Sequence, residues 1–239
     1  MCFSPQADLA AGVFVGLVGV DAVRHVRRRS QVPLAALPVV LAGHQFVEIA
    51  VWRGLEAGDR TGPWRPAMVA YLLVAFVAVP ILVPLAAASL APPDRRGPSR
   101  ALLALGVAVA AVLGHAIVRG PVDAVIQGHH IDYRVRLWNG GALVVLYLVA
   151  TCGSLLVSHH RDVRWFGAAN LVAAVGLIAL DQRGFISLWC AWAAVTSVAI
   201  AGRLRLEDDR DRAGGGRTGG RTSCASDRAG EVAGAALDG

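Results

Sequence analysis

Residues 67–90 read AMVAYLLVAFVAVPILVPLAAASL, a run of 24 residues without a charged side chain. An α-helix rises about 1.5 Å per residue, so roughly 20 such residues cross the apolar interior of a bilayer. Pro80 and Pro84 are compatible with this reading, because prolines are tolerated in membrane helices and kink them. We predict a transmembrane helix here.

Six further apolar stretches resemble this one, and with it they form a series of seven. The series is 7–23, 33–52, 67–90, 101–118, 137–157, 165–181 and 185–202. We predict an all-α fold, a seven-transmembrane-helix bundle over residues 1–206. Residues 207–239 are predicted to be a disordered cytoplasmic tail, because Gly, Arg, Asp and Ser replace the large apolar residues there.

The composition favours a multi-pass membrane protein whose main partner is the lipid bilayer. Of the 239 residues, 55% are hydrophobic and 17% are charged, whereas soluble domains carry about 25% charged residues. All 23 basic residues are Arg, and they lie in short loops and in the tail. Charge in those places orients helices, so we expect no nucleic-acid binding despite a pI of 9.9.

The Arg residues divide unequally between alternate loops. Eleven lie in the segments that follow stretches one, three, five and seven, and seven lie in the other loops. The richer side should be cytoplasmic, and the cluster from Arg24 to Arg29 directly follows the first stretch. We therefore predict an outside N-terminus and a cytoplasmic C-terminus.

The second stretch carries His44, Gln45, Glu48 and Trp52. Spacings of four residues place His44, Glu48 and Trp52 on one helix face, with Gln45 beside them. A carboxylate in an apolar span is costly, so it should face the bundle interior or a wet cavity. Three interpretations stay open: a hydrogen-bonded pair that locks helix packing, a binding or catalytic carboxylate, and an interfacial Glu that reaches water.

The loop between stretches four and five contains GHHIDYRVR, residues 128–136, in which polar and apolar residues alternate. Together with Val125 and Ile126 this pattern predicts a short β-hairpin that covers the outer face. His129, His130 and Asp132 are candidate metal ligands in it. Two adjacent histidines are a weak metal signal, and a polar external loop with incidental histidines is the alternative.

Ionisable residues from several stretches fall at one depth in the predicted topology. His44, Glu48, His115, Asp181 and Asp8 all lie towards the outer ends of their helices. Such a set is a candidate site for a ligand. The residues predicted to bind a ligand are Gln45, Glu48, His44, His115, Tyr133 and Asp181.

Three classes of function remain open. The leading one is a sensor or transport-like protein that takes a small molecule or lipid in an outward-facing pocket around Glu48. An alternative is a membrane-embedded metal-dependent hydrolase of a lipid or envelope substrate, since imidazole and carboxylate ligands suit Zn²⁺. Its predicted ligands are Cys2, Glu48, His129, His130 and Asp132. The third is a structural membrane scaffold.

Several short motifs carry a resemblance to a known family. They are Met1-Cys2-Phe3-Ser4, Gln45-x-x-Glu48 with Trp52, His130-Ile131-x-Tyr133, and the segments LYLVATC at 146–152 and SLWCAWAA at 187–194. The chain resembles an uncharacterised bacterial family of small polytopic membrane proteins that begin Met-Cys-Phe-Ser. The resemblance implies a seven-span bundle in a bacterial inner membrane and no particular activity. It marks Cys2, Gln45, Glu48, His130 and Tyr133 as the residues of interest.

Overall fold

The computed structural model describes residues 4–58, 62, 64–93, 96–128, 130–180, 192 and 194–212. This part of the chain is mostly helical and holds one two-stranded sheet. The helices are α1 (Pro5–Arg24), α2 (Val32–Glu56), α3 (Trp64–Ser89), α4 (Arg96–Arg119), α5 (Gly140–Leu156), α6 (Arg161–Leu180) and α7 (residues 194–212). Strands β1 (Val122–Gln127) and β2 (His130–Val135) lie between α4 and α5.

The predicted helical class and the predicted hairpin are both confirmed. The two strands are antiparallel, with Val122 opposite Val135 and Gln127 opposite His130. Of the helices in the described ranges, four are long and apolar enough to cross a membrane, namely α1, α2 with its preceding turn (Arg29–Glu56), α3 and α4, whereas α5 is shorter. These four helices indicate a membrane location.

The outward faces of the helices carry a belt of large apolar side chains. Leu17 is 68% exposed, and Val118 and Val172 are each 72% exposed. In water a continuous belt of this kind would be an interaction or aggregation surface. In lipid it carries no such cost, so the belt fits a membrane environment.

The bundle has two chemically different ends. At the hairpin end, Ile131 of β2 packs in one buried cluster with Val51 of α2 and Tyr71 of α3. At the opposite end, which we call the basic end, the Arg27 guanidinium pairs with Asp208 of α7 at 2.5 Å. The hairpin therefore closes one end of the bundle, and ion pairs close the other.

Helix α7 extends further than the sequence predicts. Residues 207–212, whose composition predicts a disordered tail, are helical. Asp208 is only 1% exposed and lies between Arg27 and Arg212, while Gln31 donates to Glu207 at 2.8 Å. The Arg27 hydrogen bond lowers the pKa of Asp208, so this carboxyl stays ionised. The rest of the predicted tail lies outside the described residues.

Three glycines bring α1 against α2. A Cβ at Gly12 would lie 3.2 Å from Gln45 Cβ, and one at Gly19 would lie 3.1 Å from the backbone nitrogen of Val39. Gly16 faces Ala42 between them. Small residues at such crossings let helices approach closely in membranes, and here they place α1 beside the face of α2 that carries the candidate site.

Helix α3 contains a π-helical turn, Val74–Ala78, that frees backbone carbonyl groups. The Val79 N–H donates to Val74 O, five residues back, and Pro80, the next residue in that register, has no N–H for Ala75 O. The Tyr147 hydroxyl of α5 donates to Ala75 O at 2.9 Å instead. The irregular turn thus supplies a hydrogen bond between α5 and α3.

Pro84 leaves a second carbonyl group of α3 without a helical donor, one turn later. It has no N–H to donate to Pro80 O, and Gly106 of α4 lies directly against that oxygen. A Cβ at Gly106 would overlap Pro80 O. The α3–α4 contact therefore depends on glycine at this position.

We expect Gly106→Ala to lower the thermal unfolding temperature in detergent by several degrees. The added methyl would overlap backbone, and overpacking of this kind costs about 1–3 kcal/mol or more. Gly43→Ala is the matched control, since nothing lies within 4 Å of a Cβ built there. Equal melting temperatures for the two variants would contradict the close α3–α4 approach.

Candidate functional site

Glu48 is the centre of the candidate site and is fully buried at the hairpin end of α2. The same helix buries Gln45, at 1% exposure, and His44 and Trp52, at 5% and 4%. The spacing seen in the sequence therefore does place His44, Glu48 and Trp52 on the interior face. An interfacial Glu48 that merely reaches water is incompatible with this burial.

Three stacked rings lie beside this face of α2. The His44 and Tyr71 ring centroids are 3.9 Å apart, and those of Tyr71 and Tyr133 are 4.6 Å apart, with interplanar angles of 14° and 17°. Near-parallel rings at these distances attract one another when offset. The stack joins α2, α3 and β2, so it fixes the hairpin over the helices.

Tyr133 also contacts the carboxylate. Its hydroxyl donates to Glu48 Oε1 at 3.4 Å in a buried environment, which is longer than the roughly 2.7–2.8 Å typical of O–H···O bonds. The alternation of β2 explains why Tyr133 reaches inwards, because Ile131 is also fully buried. On the other face of the strand, Asp132 pairs with Arg134 at 3.0 Å.

Two buried nitrogen atoms of α2 have no hydrogen-bond partner among the residues that the structure describes. They are His44 Nδ1 and Trp52 Nε1. An unpaired buried polar atom costs about 1–3 kcal/mol, and both side chains share the helix face of Glu48. The face therefore offers more hydrogen-bonding capacity than the described fold uses.

Asp8 of α1 adds a second acid at this end of the bundle. It is fully buried, and it lies one helical turn before Gly12, which faces Gln45. Because α1 and α2 run in opposite directions, Asp8 falls at about the depth of Glu48. The common depth predicted for Asp8, His44 and Glu48 agrees with this placement.

Other predicted site residues do not join this group. His115 is exposed, while Leu113 and Ile117 on the opposite face of α4 are buried. Asp132 lies on the outer face of the hairpin, and alternation places His130 on that face too. Asp181, Cys2 and His129 lie outside the described residues.

The predicted zinc site is not assembled by those of its residues that the structure covers. Glu48 is inside the bundle, whereas Asp132 is paired with Arg134 on the far side of β2. Within residues 4–58, 64–93, 96–128, 130–180 and 194–212, no three His, Cys, Asp or Glu side chains are grouped to hold a metal ion.

The family match covers nearly the whole chain. A family model matches residues 1–214, which include both strands and every described helix. The chain belongs to the family of unknown function DUF6629. Membership in DUF6629 agrees with the expected resemblance to an uncharacterised family. No curated protein and no solved structure matches the chain.

Tyr71, the middle ring of the stack, is not among the site residues predicted from the sequence. In the sequence it stands within the uncharged stretch 67–90 and looks like one more core residue. Its one distinguishing signal is a polar hydroxyl in a span of aliphatic side chains, near the end of the helix that meets the hairpin. For a DUF6629 protein we would now include this tyrosine in the site.

We expect Tyr133→Ala to release the hairpin from the bundle. Truncating a large buried aromatic side chain costs about 3–5 kcal/mol, and here it also removes the stack on Tyr71. Amide hydrogen exchange across residues 122–135 should accelerate strongly. The control is Arg134→Ala, on the exposed face of the same strand, which should leave the exchange rates almost unchanged. Equal acceleration in both variants would show that the stack does not hold the hairpin.

Proposed function

We propose that this protein is a seven-span membrane protein that binds a small polar ligand around Glu48, as a sensor or a transport-like protein does. The observation that carries the proposal is a fully buried carboxylate contacted by the hydroxyl of Tyr133, on a hairpin that covers it. Ionisable residues inside a membrane are costly and typically mark ligand or ion pathways.

A purely structural role explains this arrangement less well. Replacing a buried ionic or polar group by a well-packed apolar one is often neutral or stabilising, so packing alone does not require Glu48. The unpartnered nitrogens of His44 and Trp52 add a cost that a scaffold would avoid. Bound to a ligand, these same groups would be satisfied.

The side chains suggest the chemistry of the ligand. The Glu48 carboxylate, with Asp8 at a similar depth, favours a positively charged or hydrogen-donating group. The Trp52 indole N–H can only donate, so it favours an acceptor oxygen in the same molecule or in a bridging water. A small amine that also carries an oxygen, such as an amino acid or an amino alcohol, meets both demands.

The proposed topology places the hairpin end outside and the basic end in the cytoplasm of a bacterial inner membrane. The Arg-rich loops support this orientation, because Arg27 and Arg28 lie at the same end as the extended α7. An outside hairpin gives the Glu48 site access from the external side. Ligand access would then require the hairpin to lift.

Labelling of single cysteines tests this topology. Arg136→Cys at the hairpin end and Gly97→Cys at the basic end both replace exposed residues, in a background where the four native cysteines are replaced. We expect a membrane-impermeant maleimide to label the first variant in intact cells and the second only after the membrane is opened. The reverse pattern, or labelling of both in intact cells, would overturn the orientation or the number of spans.

A thermal-shift screen tests binding. The probes are free amino acids, amino alcohols and simple primary amines at millimolar concentration. At 100 times its Kd a ligand stabilises the folded state by about 2.7 kcal/mol, which raises the melting temperature by roughly 5–10 °C for a chain of this size. We expect at least one probe to do this and Glu48→Gln to abolish the shift.

The matched control is Glu56→Gln, an exposed glutamate at the end of the same helix. It should leave the shift intact. If every probe fails, or if Glu48→Gln changes only the melting temperature of the free protein, the scaffold interpretation replaces the binding one.

A further inference from the structure

Three cavities adjoin one another at the basic end of the bundle. An open surface groove of about 830 Å³ shares Asp162, Ala199 and Arg203 with a narrower slot of about 150 Å³. The slot in turn shares residues with an interior cavity of about 70 Å³. The shared residues are Leu34, Leu155, Phe166 and Ile200. The three cavities are therefore neighbours that follow one another from the surface into the bundle, and we call them the path.

The slot is lined by carbon atoms along its length. Its deeper walls include Leu34, Ala87, Leu155 and Phe166, and its polar side chains, Asp162 and Arg203, stand where it meets the groove. Cavities of roughly 150 Å³ lined by such residues stay dry and accept apolar guests. The slot is therefore suited to a hydrocarbon chain.

The groove carries positive charge beyond its internal ion pairs. Arg203 is paired with both Asp162 and Glu207, so this group of one guanidinium and two carboxylates has a formal charge of −1. The two further arginines of the lining, Arg161 and Arg210, bring the formal charge of the groove to +1. Arg161 and Arg210 also line the groove and are exposed, and neither makes an ion pair with another residue in the described ranges. A guanidinium group binds phosphate with two parallel hydrogen bonds.

The position of the groove matches the edge of a bilayer. Trp165 lines it and is 67% exposed, and exposed indoles favour the boundary between hydrocarbon and headgroups. Ala199 is exposed where the groove and slot meet, so the slot opens sideways towards lipid. A headgroup in the groove and a chain in the slot would thus be continuous.

We propose that this path is a binding site for an anionic phospholipid of the surrounding bilayer. The phosphate lies between Arg161 and Arg210, and one acyl chain passes Ala199 into the slot towards Phe166. The occupant is anionic rather than zwitterionic, because a choline or ethanolamine cation would meet the two unpaired guanidinium groups. This site lies at the opposite end of the bundle from Glu48 and does not depend on the function proposed there.

Lipid titrations on the full chain in detergent test the proposal. The probes are dioleoyl phosphatidylglycerol, dioleoyl phosphatidylcholine and inorganic phosphate, with retained lipid counted by native mass spectrometry. We expect phosphatidylglycerol to bind at least tenfold more tightly than phosphatidylcholine. The double variant Arg161→Gln/Arg210→Gln should lose that preference.

Two controls separate the headgroup from the chain. Arg29→Gln/Arg164→Gln removes the same charge from exposed positions at the same end, outside the groove, and should change the affinity less than twofold. Ala199→Phe, at an exposed position, should block the slot and weaken phosphatidylglycerol binding at least tenfold while the protein stays folded. Equal binding of the two lipids, equal losses in both double variants, or full competition by inorganic phosphate would each overturn the proposal.

Discussion

Hydrocarbon offers no hydrogen bonds, so every polar group inside this bundle needs a partner from the protein. Helix α3 shows the consequence. Its π turn and Pro80 leave Ala75 O without a helical donor, and the Tyr147 hydroxyl takes that place. The carbonyl group of Pro80 is accommodated by the glycine at 106. Irregular backbone in α3 thus contributes a hydrogen bond to α5 and a close approach to α4.

Side chains in the middle of the bundle obey the same rule. Asn170 donates to Phe166 O at 2.7 Å within α6 and accepts from the Trp192 indole at 3.0 Å. Thr151 donates to the carbonyl oxygen of Tyr147 at 2.8 Å. By contrast, His44 Nδ1 and Trp52 Nε1 are buried without a hydrogen-bond partner among the described residues. This contrast supports the proposal that the Glu48 face binds a ligand.

Sequence alone predicted the elements that depend on local pattern. The face of α2 with His44 and Glu48 follows from a spacing of four residues, and the inward Tyr133 follows from alternation in β2. No comparable pattern in the sequence shows how one helix is rotated relative to another. His115 shares the depth of the site but faces outwards, because Gly106 turns the other side of α4 towards α3. The helical structure of residues 207–212 could not be predicted for a related reason. The sequence around Asp208 has the composition of a disordered tail, and only the fold brings Arg27 beside it.

The two ends of the bundle differ in what their charges can do. At the basic end Arg205, 59% exposed, pairs with Asp21 at 2.6 Å, and exposed pairs of this kind contribute about 0–1 kcal/mol. Such charges can exchange partners with a lipid phosphate at little cost. The surroundings of Glu48 are apolar, which strengthens polar interactions. A buried polar group there that lacks a hydrogen-bond partner therefore destabilises the fold. The element that encloses Glu48 on this side is the hairpin, which the Tyr71–Tyr133 stack holds against the helices, so the proposed binding of a ligand there depends on displacing that stack.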